Sequence, residues 1–119
     1  LGHHKLRAES KQTLQKISEV LSKYSDRPIV VEGHTDAVPV LPESRFPTNW
    51  HLSAARAVSV VQFLTDQQGL DPDRLVAAGY GEHRPLKPNN TEENREMNRR
   101  VEIVLYPPQW QSKTINPTD

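Results

Sequence analysis

Four short stretches concentrate the residues able to do chemistry. Glu32-Gly33-His34-Thr35-Asp36 carries an apolar segment out into an acidic loop. Asn49-Trp50-His51-Leu52-Ser53-Ala54-Ala55-Arg56-Ala57 has the look of a helix start with an arginine in its early turns. Gly79-Tyr80-Gly81-Glu82 is a glycine-flanked turn, and Asn98-Arg99-Arg100-Val101-Glu102-Ile103 brings two arginines into an alternating segment. Glycoside hydrolysis would need a defined pair of carboxylates. Glu32 and Asp36 are four residues apart on a strand and its exit, a weak case for one. There is no Gly-x-Ser-x-Gly elbow and no glycine loop for phosphate. His34, His51 and His83 show no helical metal-ligand spacing, and no cysteine exists to assist them, so each reads as structural. His3-His4 read as an exposed turn, and no cofactor is expected.

The elements that must position these stretches follow from periodicity. Residues 8–24 carry Leu14, Ile17, Val20, Leu21 and Tyr24 at helical spacing, and Pro28 ends the segment. Residues 29–34 are β-branched and short, a strand. Residues 35–51, interrupted by Pro39, Pro42 and Pro47, are long for a loop in a small domain, as functional loops often are. A second helix starts between Asn49 and Ser53 and runs to about Gln68, with Gly69 at its end. Its buried stripe is expected at Ala54, Ala57, Val58, Val61 and Leu64, with Arg56 on the flank. Residues 75–79 and 101–106 read as strands, the latter with Val101, Ile103 and Leu105 on one face. Thr91 is placed to cap a short helical turn, and residues 109–119 read as a polar tail. Amphipathic helices and half-apolar strands predict an α/β (α+β) fold with the helices packed on one face of a sheet.

Composition narrows the class. Lys plus Arg equals Asp plus Glu at 15 each, so no broad field draws the chain to nucleic acid. A charged ligand has to be met by locally placed groups. Without cysteine there is no disulfide and no thiolate chemistry. A chain of 119 residues suits one core.

Taken together and in order, G-H-T-D at Gly33 to Asp36, L-S-x-x-R-A at Leu52 to Ala57, G-Y-G at Gly79 to Gly81 and N-R-R-V-E-I at Asn98 to Ile103 closely resemble the OmpA-like peptidoglycan-binding domain. The resemblance covers residues 1–106, leaving 107–119 as the tail. The loop from Asp36 to Val40 and from Arg45 to Trp50 is similar to that of MotB-type flagellar stator proteins, and a related loop occurs in type VI secretion anchors. The resemblance implies a β-α-β-α-β-β mixed sheet, of whose first strand only Leu1-Gly2 and Leu6 remain. It implies a ligand, the peptide stem of peptidoglycan through diaminopimelate. Asp36 matches the aspartate that meets the ligand's ammonium, and Arg56 the arginine that meets its carboxylate. The chemistry agrees, because a zwitterion needs an anion and a bidentate cation held close together. Thr35, Asn49, Leu52, Asn98 and Arg99 complete the expected binding set.

Each assignment has a plain alternative. Asp36 could be an Asx turn and Arg56 a surface residue whose stem covers apolar atoms. Asn98 could be a turn former. Arg99 is expected to face the site and Arg100 solvent. Trp50 and Phe46 could stack on sugar, but pinning the long loop to the core is the preferred reading. The implied whole is a non-catalytic, periplasmic wall anchor of a flagellar stator. A transmembrane helix upstream would tether it to the inner membrane beside a channel partner subunit, with at most a weak homodimer. The alternative is an anchor of an outer-membrane protein, lipoprotein or type VI secretion component.

Overall fold

The computed structural model describes residues 8–108. Leu1-Gly2, Leu6, His3-His4 and the 109–119 tail lie outside them, so the expected first strand does too. Within them the order is α1 (Ala8–Leu21), β1 (Ile29–Gly33), α2 (Asn49–Asp66), a 3-10 turn (Pro72–Arg74), β2 (Leu75–Gly79), α3 (Glu92–Asn98) and β3 (Val101–Leu105). The sheet is mixed, ordered β2-β1-β3, with β1 parallel to β2 and antiparallel to β3. That topology brings the C-terminal ends of β1 and β2 to the same sheet end as the start of β3.

Ile29 and Val31 of β1 point to the helical side and are fully buried against Leu14, Leu21, Ala57, Val60 and Leu64. Val101, Ile103 and Leu105 pack onto this cluster from β3, as their alternation predicts. Helix α1 is shorter than expected. It closes at Leu21, and the Arg74 side chain donates to the carbonyls of Leu21 and Tyr24, satisfying a helix end that has no further turn. Tyr24 falls beyond the helix and is exposed, and Val20, within it, is exposed as well. The stripe of α2 is rotated from the expected one: Leu52, Ser53, Ala57, Val60 and Leu64 are buried, while Val58 is exposed. The rotation places a hydroxyl, Ser53, against the sheet, which a count of apolar residues misses.

Two glycines explain why α2 can lie so close. A Cβ on Gly33 would stand 2.0 Å from the Ser53 carbonyl oxygen, and one on Gly79 would stand 2.6 Å from the Ala54 nitrogen. Both neighbours are backbone, so neither can swing aside. Gly33→Ala must therefore lift the first turns of α2 off the sheet. The expected cost is about 3 kcal/mol, the upper part of the range for overpacking. Urea unfolding monitored by circular dichroism measures it, and an unchanged midpoint would mean that α2 is free to shift.

Candidate functional site

Where the exit of β1 and the approach to β3 meet α2, a cleft of about 280 Å³ opens. Its floor and polar wall are Thr35, Asp36, Asn49, Leu52, Arg56 and Arg99. Val38, Pro39, Val40, Leu41, Glu43 and Ser44 from the long loop form the facing wall. Six of the seven expected residues thus converge here. The seventh, Asn98, does not line the cleft. It is fully buried, accepts from the Leu86 and Lys87 amides, and donates to Lys87 O and Asn89 Oδ1. It shapes the 86–89 turn, as its plain alternative held.

Asp36 is 4% exposed. Its Oδ1 accepts from the Val38 amide at 3.0 Å, the Asx turn, and its Oδ2 accepts from Arg99 Nη1 at 2.6 Å. The Asx-turn reading of this residue therefore holds, and its second oxygen is engaged by Arg99. It is a buried, paired carboxylate, so replacing it affects folding as well as the cleft. Arg99 also donates to Glu92 at 2.8 Å. Burial works against the Arg99 charge, but the carboxylates of Asp36 and Glu92 outweigh it and raise its pKa. The bonds from Arg99 and Arg95 hold Glu92 below the usual carboxylate range. Glu92 escaped the sequence reading, although Glu92 and Arg99 are seven residues apart, two helical turns, on and just after α3.

Arg56 is fixed by donating to the His34 carbonyl at 3.0 Å. Burial lowers its pKa, and the neighbouring Arg99 lowers it further against the opposing pull of Asp36. The guanidinium stays charged. Two cations, Arg56 and Arg99, thus share a partly desolvated cleft with the carboxylates of Asp36 and Glu43.

The N-cap of α2 is Thr48, one residue before the expected window, and its hydroxyl accepts from the His51 amide. Asn49 therefore does not cap the helix. Its Nδ2 instead donates to the carbonyls of Asp36 at 3.3 Å and Val38 at 3.1 Å, clamping the start of the long loop. Trp50 does not pin that loop to the core. It is 53% exposed and stacks on His83. Glu32 hydrogen-bonds Tyr80 on the sheet face away from the helices and does not line the cleft. Arg100 does not face open solvent; it pairs with Glu102 and donates to Arg84 O, on that same far face.

His34 is 3% exposed, and neither ring nitrogen has a hydrogen-bond partner among the described residues. The ring lies stacked on Tyr80, with Glu32 and Glu102 each 3.9 Å from Nε2. Burial lowers its pKa from 6.5, Arg100 and Arg84 add to that, and Glu102 opposes. No group of three or more potential metal ligands occurs among the described residues. The unfolded chain takes up the His34 proton near pH 6.5, the folded chain only at lower pH. The stability this residue contributes is present above that value and is lost as pH falls toward the folded pKa. Between pH 7.5 and 5.5 the wild type should lose more stability than His34→Phe, whose ring can keep the stack on Tyr80. Equal losses in urea titrations of the two would assign the acid sensitivity to the carboxylates instead.

Comparison with known proteins bears on this geometry. The OmpA family matches residues 2–99. Motility protein B of Bacillus subtilis (strain 168) is 40% identical over 106 residues, which are 89% of this chain and 40% of that protein. The chain thus spans about two-fifths of that relative's length. The C-terminal domain of Helicobacter pylori MotB superposes with a TM-score of 0.82 at 32% identity, over 88% of this chain and 79% of that one. The cell wall anchor of the type VI secretion system from Pseudomonas aeruginosa gives 0.77 at 35% identity, over 88% and 71%.

Proposed function

The chain belongs to the OmpA family, and from that premise we propose that it binds the peptide stem of peptidoglycan without catalysis and anchors a flagellar motor stator to the cell wall. The observation that carries this reading is the cleft in which Arg56 and Arg99 stand beside the buried Asp36, opposite an apolar wall. A stem peptide with diaminopimelate offers a side-chain end bearing an ammonium and a carboxylate on an alkyl arm. Asp36 receives the ammonium, because a carboxylate retains acceptor capacity beyond its bonds to Val38 and Arg99. Arg56 receives the carboxylate through its planar fork. Val38, Val40, Leu41 and Leu52 receive the alkyl arm. Thr35 and Asn49 hold the loop that closes over it, Thr35 by donating to Asp36 O at 2.8 Å. Asn98 acts through the 86–89 turn rather than by touching ligand.

An anchor rather than a hydrolase is supported by the separation of Glu32 from the cleft. Residues 1–106 would form the binding domain, with 107–119 as a tail. The stator assignment is supported by the likeness to motility protein B. It carries with it a periplasmic location, a membrane tether and channel partner subunit upstream, and at most weak pairing of domains. No helix among the described residues is long and apolar enough to cross a membrane. The likeness to a type VI secretion wall anchor supports the second reading, in which the same cleft serves a different assembly.

Co-sedimentation with insoluble peptidoglycan tests the shared part of both. Arg56→Ala should weaken binding about 10- to 100-fold, the equivalent of roughly 1.5–3 kcal/mol for a charge-assisted bond. Wild-type affinity in a folded Arg56→Ala protein would remove Arg56 from the site. Soluble muropeptides released on incubation would replace the anchor by a hydrolase. In cells, Arg56→Ala should shorten stator residence at the motor without altering membrane insertion, and normal residence and swimming would favour the secretion reading.

A further inference from the structure

The Asp36 carboxylate can serve a ligand only if the backbone that carries it is held still. The Asp36–Ala37 peptide unit is gripped at both ends. Its carbonyl accepts from Thr35 Oγ1 at 2.8 Å and from Asn49 Nδ2 at 3.3 Å. Its N–H, on Ala37, donates to Asn89 Oδ1 at 3.2 Å. A peptide unit is planar, with its oxygen and its hydrogen pointing opposite ways, so holding both stops the plane from turning about its Cα–Cα axis. A side chain leaves Cα in a direction set by the two peptide units that meet there, so a turned plane would re-aim the carboxylate. The Val38 amide that holds Asp36 Oδ1 belongs to the same loop start and would move with the plane.

Asn89 lies in none of the motifs that point to the cleft, and it does not line the cleft. It is fifty-two residues from Ala37 in the chain, and a second bond fixes it. The same Oδ1 accepts from Asn98 Nδ2 at 2.9 Å. Asn98 is fully buried and binds the Leu86 and Lys87 amides and the Lys87 carbonyl, which ties the 86–89 turn to the approach to β3. Two neighbours in one motif thus reach Asp36 by separate routes. Arg99 holds its carboxylate directly, and Asn98 holds its backbone through Asn89. A backbone N–H only donates, so the Asn89 oxygen must face Ala37, and both known bonds of this oxygen use its acceptor capacity. We infer that Asn89 is a positioning residue for ammonium recognition, aiming the Asp36 carboxylate by holding the Asp36–Ala37 peptide as an acceptor, without touching the ligand. This rests on the stem-peptide reading above.

Two soluble ligands separate aiming from general damage in calorimetry. One is a diaminopimelate-containing stem peptide. The other is the same peptide with its side-chain ammonium replaced by hydrogen, which keeps the carboxylate for Arg56. In the wild type the ammonium should add about tenfold in affinity, the scale of one charge-assisted bond. Asn89→Leu, similar in size but without an acceptor, should cut that ratio to about twofold and leave the affinity for the ammonium-free peptide near its wild-type value. Asn89→Ala should show the same drop, so the outcome does not depend on accommodating leucine. Asn89→Asp retains the acceptor oxygen and should keep the ratio at or above the wild-type one. Arg56→Ala should instead weaken both ligands. Circular dichroism reports the folding of each variant. A wild-type ratio in folded Asn89→Leu or Asn89→Ala, or a ratio lost equally in Asn89→Asp, would overturn the positioning role while the peptide site stands. A wild type that binds both ligands equally, or neither, would remove ammonium recognition from Asp36 and this inference with it.

Discussion

The approach of α2 to the sheet at Gly33 and Gly79 is the constraint from which the rest of the site follows. Backbone meets backbone there, with no space for a single methyl group on either glycine. At ordinary helix–sheet spacing Ser53 Oγ could not bridge the Trp50 carbonyl and the Gly81 amide, and Arg56 could not reach the His34 carbonyl. Helix, β1 exit and β2 exit are thereby fixed to one another by short bonds, not merely by apolar contact. Apolar packing alone is tolerant of small shifts. A site that must hold an anion and two cations in register is not.

Electrostatics then sets what the cleft can accept. The pair of Asp36 with Arg99 is nearly dry, and burying such a pair is a poor source of stability once desolvation is counted. Its retention makes sense as positioning. Arg99 is held from both sides, by Asp36 and Glu92, and Arg95 holds Glu92 in turn. Asp36 is held by Arg99 and by the Val38 amide. The charge of Arg56 is disfavoured by burial and by its neighbour Arg99, with Asp36 opposing both. An incoming carboxylate would find Arg56 already oriented by a carbonyl, which lowers the ordering cost of the bond.

Much of this was legible in the sequence because local chemistry and motif spacing agree. Short β-branched runs marked β1 and β3 within a residue of their ends, and Thr91 capped α3 as its type predicts. The motifs point to Asp36, Arg56 and Arg99, and the fold brings all three to one cleft. The rest depended on long-range partners. The end of α1 is decided by Arg74, fifty-three residues from the Leu21 carbonyl it satisfies. The rotation of α2 is decided by Ser53, a polar residue on a face that pattern reading reserves for apolar ones. Asn98 shares a motif with Arg99, but adjacent residues need not point the same way. One faces the 86–89 turn and the other the cleft. Trp50 looked like a core anchor because its type is usually buried, and only the placement of Gly81 and His83 shows otherwise.

The division between the two faces of the sheet completes the physical picture. Parallel pairing of β1 with β2 sends both exits to one end, and antiparallel pairing of β3 starts it there. Asp36, Gly81 and Arg99 therefore meet although they are far apart in the chain. Pleating then sorts their neighbours. Gly33 faces the helices and admits α2, whereas Glu32 and His34 face the other side with Tyr80, Arg100 and Glu102. The His34 carbonyl, which orients Arg56, connects that far-face cluster to the cleft. The His34 ring is buried with no hydrogen-bond partner among the described residues, and burial lowers its pKa, which favours the neutral form. A neutral ring there leaves the charge balance of the cleft to Asp36, Arg56, Arg99 and the outer carboxylates.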